Sequence, residues 1–301
     1  MKFSHYTKVL QISLLLFFLF QISFPVLEAR SLMAIKKSGE IRICLVPIHP
    51  SVASVVNDNC QSNCQFSGPA YDVSKVFADY LDITLKQKYI RLGWQDQFKG
   101  KSGKVIREGE YTPKLLANGE CDFYPNNLVK NDWRLKKMDF VLLFPNRMMV
   151  LINKTNFLQV QSTAYLGGKK VAVEEDTSYH TWLQEQNKTK YVDKPIRITL
   201  TDTLKALKMV QNKQVDFTLL DSDAALWTTR NGFKDLAVAF PIGPLGQIGW
   251  MFQKKDKKLQ EAVNQFFQQQ RNFPNSKLNQ IWKKYYGRPL NDFIRLVTMI
   301  K

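Results

Sequence analysis

The chain has 301 residues, a formal net charge of +17 and 45% hydrophobic residues, 12% of the total being aromatic. That composition describes a globular chain and excludes a disordered one, and roughly 270 residues beyond the N-terminal segment suffice for two modest lobes or one large domain. The basic residues are spread along the chain with no nucleic-acid motif beside them, so nucleic acid is set aside; an anionic ligand, lipid or wall polymer fits the charge better.

Lys2 and Lys8 give a positive start, and residues 9–27 are apolar except for Gln11, Ser13, Gln21 and Ser23. Small Ala29 then offers a cleavage point, the pattern of a secretory signal peptide over residues 1–29. An uncleaved membrane anchor is the rival, because the run approaches the length of a bilayer-spanning helix. The first cysteine is Cys44, so no lipid attachment is expected near the cleavage point. A soluble exported protein without a tether is best retained in a Gram-negative periplasm.

Strands and helices then alternate, as in an α/β fold. The run 41–47 (IRICLVP) suits a buried strand, and Val73, Val76, Phe77, Tyr80 and Leu81 recur at helical spacing. Residues 83–90 form a second strand, and 99–110 a loop rich in glycine and charge. Thr112-Pro113 reads as a helix start with threonine as cap, and Gly119 as its end. A third strand opens at CDFYPNN. The cycle repeats with strands at 169–175, 196–200 and 214–221. Helices between them are capped at Asp176-Thr177-Ser178 and at Thr201 or Asp202. Two amphipathic helices close the chain, their aromatic residues assigned to the core.

Cys60 and Cys64 flank a short polar loop, and export makes a Cys60–Cys64 disulfide the expected pairing. Cys44 lies in an apolar strand, where a free buried thiol is expected. With no histidine near the cysteines, no metal site is expected.

The order and spacing of these pieces resemble the family 3 solute-binding proteins over roughly residues 32–287. GEIRICLVP resembles the family's opening strand and GPAYDVSKVFADYL its first helix. Asp122 and Arg134 keep the twelve-residue spacing of a family segment; LGGKKVAVEEDTSYHTWL and QVDFTLLDSDAAL match two later ones. The ending, IWKKYYGRPLNDF, resembles the close of the binding-protein-like domain of membrane-bound lytic murein transglycosylase F, with the catalytic domain of that enzyme expected to be missing. The resemblance implies a two-lobed type II periplasmic-binding-protein fold with two hinge strands. Lobe one is placed at 32–143 and 249–287, lobe two at 149–244, hinge crossings near 144–148 and 245–249, and a tail at 288–301.

It also implies a ligand cleft. Arg134 matches the arginine that grips a ligand carboxylate, a planar two-pronged donor; a solvated surface arginine is the plain alternative. Asp221 matches the aspartate that accepts the ligand ammonium, and it also suits a helix N-cap. Thr177 and Ser178 open a helix whose N–H groups suit an anion, or simply cap it. Tyr124, Asn126 and Asn127 follow the third strand and are placed along lobe one of the cleft, with core packing the alternative for Tyr124. Val129 stands where the family has threonine, Asp176 where it has the turn glycine, and Glu174 and Glu175 add negative charge nearby. These departures widen the ligand class to include cell-wall fragments.

No nucleophile, metalloprotease or phosphate-loop motif is present. The chain reads as a monomeric binding protein, not an enzyme, without cofactor. Its partners would be a small polar solute, an amino acid or muropeptide-like compound, and an ABC permease or membrane sensor. A cyclohexadienyl dehydratase-like enzyme is the catalytic alternative on the same fold.

Overall fold

The computed structural model describes residues 29–299. The signal peptide expected over residues 1–29 lies outside them except for its last residue. Among the described residues no helix is long and apolar enough to cross a membrane.

Helix α1 (Leu32–Ser38) is capped by Ser31, whose hydroxyl accepts the Ala34 N–H, and ends at Gly39 in the left-handed region, φ 66°. It leads into β1 (Glu40–Leu45), which pairs in parallel with β4 (Lys86–Arg91) across helix α2 (Pro69–Leu81). A small hairpin of β2 (Ser54–Val55) and β3 (Phe66–Ser67) interrupts that crossover. After a long loop come the short helix α3 (Lys114–Ala117), β5 (Tyr124–Val129) and the short helix α4 (Asp132–Leu135). The helix expected from Thr112-Pro113 starts one residue later than the sequence implied: Pro113 holds the cap position with no side-chain cap.

Two long strands organise the rest. β6 (Asp139–Asn153) and β10 (Leu236–Phe252) run antiparallel to each other from one lobe into the other. Between them in sequence lie β7 (Lys170–Val173), α5 (Ser178–Thr189), β8 (Arg197–Leu200), α6 (Thr203–Gln211), β9 (Phe217–Asp221) and α7 (Ser222–Asn231). The sheet order is β5-β10-β6-β9-β7-β8. Strands β7, β8 and β9 are parallel, so their C-terminal ends share one edge, where Thr177, Thr203 and Asp221 start or cap helices. Central parallel strands have both faces covered and read as continuous apolar runs; Val171, Ala172 and Val173 follow that rule. The pairing of β6 with β10 is broken between Ile242 and Gly246, with Gly243 at φ 67°. The expected crossings at 144–148 and 245–249 fall in this part of the two strands.

Helices α8 (Lys257–Asn272), α9 (Lys277–Tyr286) and α10 (Leu290–Met299) return to the first lobe. Leu259, Val263, Phe266 and Phe267 form one stripe of α8, buried with Phe77, Phe123 and Trp250. The segment from 288 onward, expected as a tail, is a correction: Leu290, Phe293 and Val297 recur at helical spacing and are buried against Phe144 and Trp282. Lobe two has its own core on both faces of its sheet, around Phe217 and Leu219 on one side and Leu207 and Val210 on the other.

Both cysteine pairs are bonded. Cys60 joins Cys64, with Cα atoms 5.6 Å apart. Cys44 joins Cys121 across 5.7 Å between Cα atoms, which overturns the free buried thiol expected at Cys44. Parallel bridging of Ile43 to Phe123 draws the two chain segments together, so an apolar strand position became a cross-link.

Candidate functional site

A cleft between the lobes is lined by Ile48, His49, Trp94, Asn126, Asn127 and Arg134 from one side and by Thr177, Ser178, Tyr179, Asp221 and Asp223 from the other. The free space within it is about 50 Å³, room for a few waters.

Arg134 sits in the short helix α4, capped by Asn131, whose side chain accepts the Arg134 backbone N–H at 3.1 Å. It is not a solvated arginine: it is 1% exposed, ringed by Trp94, Phe98 and Trp133 with its guanidinium carbon 5.3–5.8 Å from their ring centres. Such stacking favours a planar cation. Its Nη1 donates to the Val129 carbonyl at 2.7 Å, Nη2 reaches the Asp176 carbonyl of the other lobe at 3.5 Å, and Nε has no protein partner. Burial lowers its pKa to about 10, leaving it charged at neutral pH. Position 129, where a threonine was missing, contributes its backbone carbonyl instead.

Asp221 ends β9 at the N-terminus of α7. It offers no side-chain cap to that helix, so its carboxylate is left to the cleft. Asn146 Nδ2 donates to its Oδ1 at 2.5 Å, and its own N–H donates to the Tyr179 hydroxyl at 2.9 Å. Burial pushes its carboxyl up to about 6, opposed by hydrogen bonds and the Arg134 charge. Asp221 and Arg134 therefore act on each other, yet no ion pair joins them.

The remaining expected residues divide. Asn127 lines the cleft at φ 49°, a conformation asparagine tolerates better than most residues. Asn126 also lines it, but its amide is occupied: Oδ1 accepts the Val46 N–H and Nδ2 donates to Gln97. Thr177 lines the cleft as the cap of α5, its hydroxyl accepting the His180 N–H and donating to the Glu174 carbonyl. Ser178 follows it at the helix start. Tyr124 is a correction. It is fully buried in the lobe-one core beside Cys44, Leu116 and Cys121. At about 3.3 Å per residue along a strand, it lies two residues below Asn126 and under the cleft floor. Asp122 is likewise architectural: its Oδ2 accepts the Arg42 N–H at 2.7 Å and its Oδ1 pairs with Arg30 at 3.6 Å.

The acidic departures have local uses. Asp176 takes the turn at φ 59°, the left-handed geometry a glycine would supply. Its carboxylate meets Arg107 at 3.5 Å and Gln95 at 3.2 Å from the opposite lobe. Glu174 accepts the Thr203 N–H and hydroxyl. Trp94 closes the same seam by donating to the Glu175 carbonyl at 2.8 Å.

Sequence reasoning missed Asp223, His49 and Asn146. Asp223 is 2% exposed in the cleft wall, its carboxyl pushed up to about 7 by burial and then by the Asp221 charge, against hydrogen bonds that include the Asn127 side chain. As the second residue of a helix it reads as ordinary first-turn acid. His49 is neutral, its pKa lowered to about 3 by burial; its ring nitrogens lie 2.8 Å from the Ser51 hydroxyl and 3.2 Å from the Thr228 hydroxyl. Asn146 lies mid-strand, where periodicity assigns only packing.

Two lobes, two long connecting strands and a cleft between the lobes define the type II periplasmic-binding-protein fold. No family model matches the chain. It is 26% identical over 220 residues to a membrane-bound lytic murein transglycosylase F from Desulfosudis oleivorans, 73% of this chain and 44% of that one. The chain spans about half the length of the curated relatives it matches. Among solved structures it is similar to an ancestral amino acid-binding protein, a precursor of cyclohexadienyl dehydratase, with TM-score 0.67 and 20% identity over 85% of this chain and 99% of that one. It is also similar to an amino acid ABC transporter substrate-binding protein from Streptococcus pneumoniae bound to L-arginine, with TM-score 0.66 and 18% identity over 85% of this chain and 98% of that one.

Proposed function

We propose that this chain is an exported solute-binding protein that closes on a small compound carrying both an amine and a carboxylate. The observation that carries this reading is the placement of Arg134, buried, and Asp221, half-buried, on opposite walls of one cleft without an ion pair between them. Arg134 would hold the carboxylate with its free Nε and neighbouring Nη2, and Asp221 the ammonium. The Thr177–Ser178 end of α5 adds N–H donors to the carboxylate side. Asn127 and Asp223 leave a second acceptor wall, which favours ligands with a further cationic or amide group.

In this reading the lobes are 32–143 with 249–287 and 149–244, and they swing on 144–148 and 245–249. The leader is removed near Ala29, and the protein works as a periplasmic monomer that presents the closed form to an ABC permease or a membrane sensor. Calorimetry on the exported protein with amino acids, short peptides and muropeptides tests it. Binding confined to ligands with both groups is expected; equal binding of des-amino analogues would overturn the role of Asp221.

The transglycosylase F relatives favour a second reading, in which the ligand is a cell-wall fragment with a peptide stem. Muropeptides binding more tightly than free amino acids in the same titrations would select it. A dehydratase role has one observation in its favour, a cleft carboxyl at Asp223 near neutral pKa; release of phenylpyruvate from prephenate is its assay.

A further inference from the structure

The end of lobe two farthest from the cleft gathers positive charge. Strands β7, β8 and β9 start there, β6 ends there and β10 begins there. The segments that meet at this pole, residues 154–170, 188–197, 213–216 and 234–235, carry nine lysines and arginines against three aspartates. Two of the three acids are already engaged: Asp216 accepts the Lys170 N–H at 2.7 Å, and Asp235 accepts the Gln211 amide at 3.3 Å. Among the described residues none of the cations at this pole is in an ion pair.

The cations are also shaped into a surface. Lys169, Lys170, Lys194, Arg197 and Lys213 surround a groove of about 380 Å³. Gly168, at φ 74°, donates its N–H to the Lys194 carbonyl at 2.8 Å and accepts from Arg197 at 3.0 Å. The Lys194 stem lies so close over Gly168 that an added Cβ would meet it at 2.8 Å. On the same pole stand three apolar side chains in water: Leu158 at 89% exposure, Val192 at 58% and Phe157 at 42%. Cations around projecting apolar side chains match an anionic bilayer, which attracts the charge and accepts the apolar tip. A soluble polyanion would use the charge and leave Leu158 unexplained.

We infer that this pole is a docking surface for anionic phospholipid, holding lobe two against a membrane face while the cleft, at the other end of the same strands, stays open to solutes. Neutralising three lysines near such a surface reads as roughly a hundredfold loss of binding, and reversing them as more.

The test is co-sedimentation of the exported protein with vesicles of phosphatidylcholine, with and without phosphatidylglycerol. Parent and variants share the same N-terminus, so any contribution from it cancels. Expected is binding that requires phosphatidylglycerol, falls as salt is raised, and drops by at least about a hundredfold in the triple variant Lys169→Glu, Lys170→Glu, Lys194→Glu. Leu158→Asp should weaken vesicle binding while leaving the salt dependence in place. Both variants should keep the parent's unfolding temperature. Equal binding to neutral and anionic vesicles, or a triple variant that binds like the parent, would overturn the inference. So would capture by soluble polyglutamate with no binding to vesicles, since the occupant would then be a polymer.

Discussion

Arg134 and Asp223 show what burial does to charge in this cleft. Arg134 is held by three aromatic rings and one carbonyl, leaving donors free on the ligand side. Arg134→Ala should therefore weaken a carboxylate ligand by at least about 2 kcal/mol, one partner of a charge-assisted pair being lost; calorimetry reads it directly. Asp223 gives a pH effect. Its pKa in the closed form is about 7, above the ordinary aspartate value of 3.8, so the closed form binds the extra proton. Closure without ligand is then most favoured at low pH and loses ground as pH rises from about 4 to about 7. One pKa unit is about 1.4 kcal/mol. Small-angle scattering should show a more compact ligand-free protein at pH 5 than at pH 8, and Asp223→Asn should reduce that difference. Spacing and strand position single out Arg134 and Asp221, and both line the cleft, whereas Asp223 is hidden behind an ordinary helix-start role. Tyr124 was misplaced because strand position tells which residues approach an edge, not how many residues before the edge the cleft floor lies.

Among the elements, the cross-link between β1 and the start of β5 matters most. It closes a separation of 77 residues, for which the chain-entropy model gives about 4.5 kcal/mol. Cys44→Ala with Cys121→Ala should lower unfolding stability by roughly 2–4 kcal/mol, as read in a denaturant titration under oxidising conditions. Thiol counting on denatured, unreduced protein should find no free cysteine. Strand and helix order were readable because the apolar period switches cleanly between the two kinds of element. The pairing of Cys44 was not, since it depends on a parallel contact between segments far apart in sequence. Helix α10 had a visible pattern in Leu290, Phe293 and Val297, but a family-like ending just before it drew the boundary too early. The turn at Asp176 is the opposite lesson. Losing a glycine looked like losing the geometry, yet aspartate keeps the left-handed turn and adds a carboxylate.

For the whole molecule that carboxylate becomes a clasp. Arg107, Gln95 and Trp94 of lobe one all bond to the 175–176 corner of lobe two, and Arg107 also donates to the Thr181 hydroxyl at 2.6 Å. Asp176→Gly should preserve the turn while releasing two of these contacts. The expected result is a more open ligand-free ensemble by scattering and a faster ligand association rate, with the unfolding temperature little changed; an unchanged radius of gyration would exclude the clasp. Two lobes and their connecting strands were legible from the order of motifs, but the contacts across the seam were not, because they join loops that carry no periodic signal.

Asn146 lies on β6 where that strand passes between the lobes, and its amide holds both Asp221 and the start of α7, accepting the Ser222 N–H at 3.0 Å. One side chain thus ties β6 to the Asp221 wall of the cleft without itself lining the cleft. Dwell time and selectivity can then be set separately. A change at Asn146 should scale the escape rate of every ligand by a similar factor, as stopped-flow release would record. Changes at Arg134 or Asp223 should reorder the ligands among themselves.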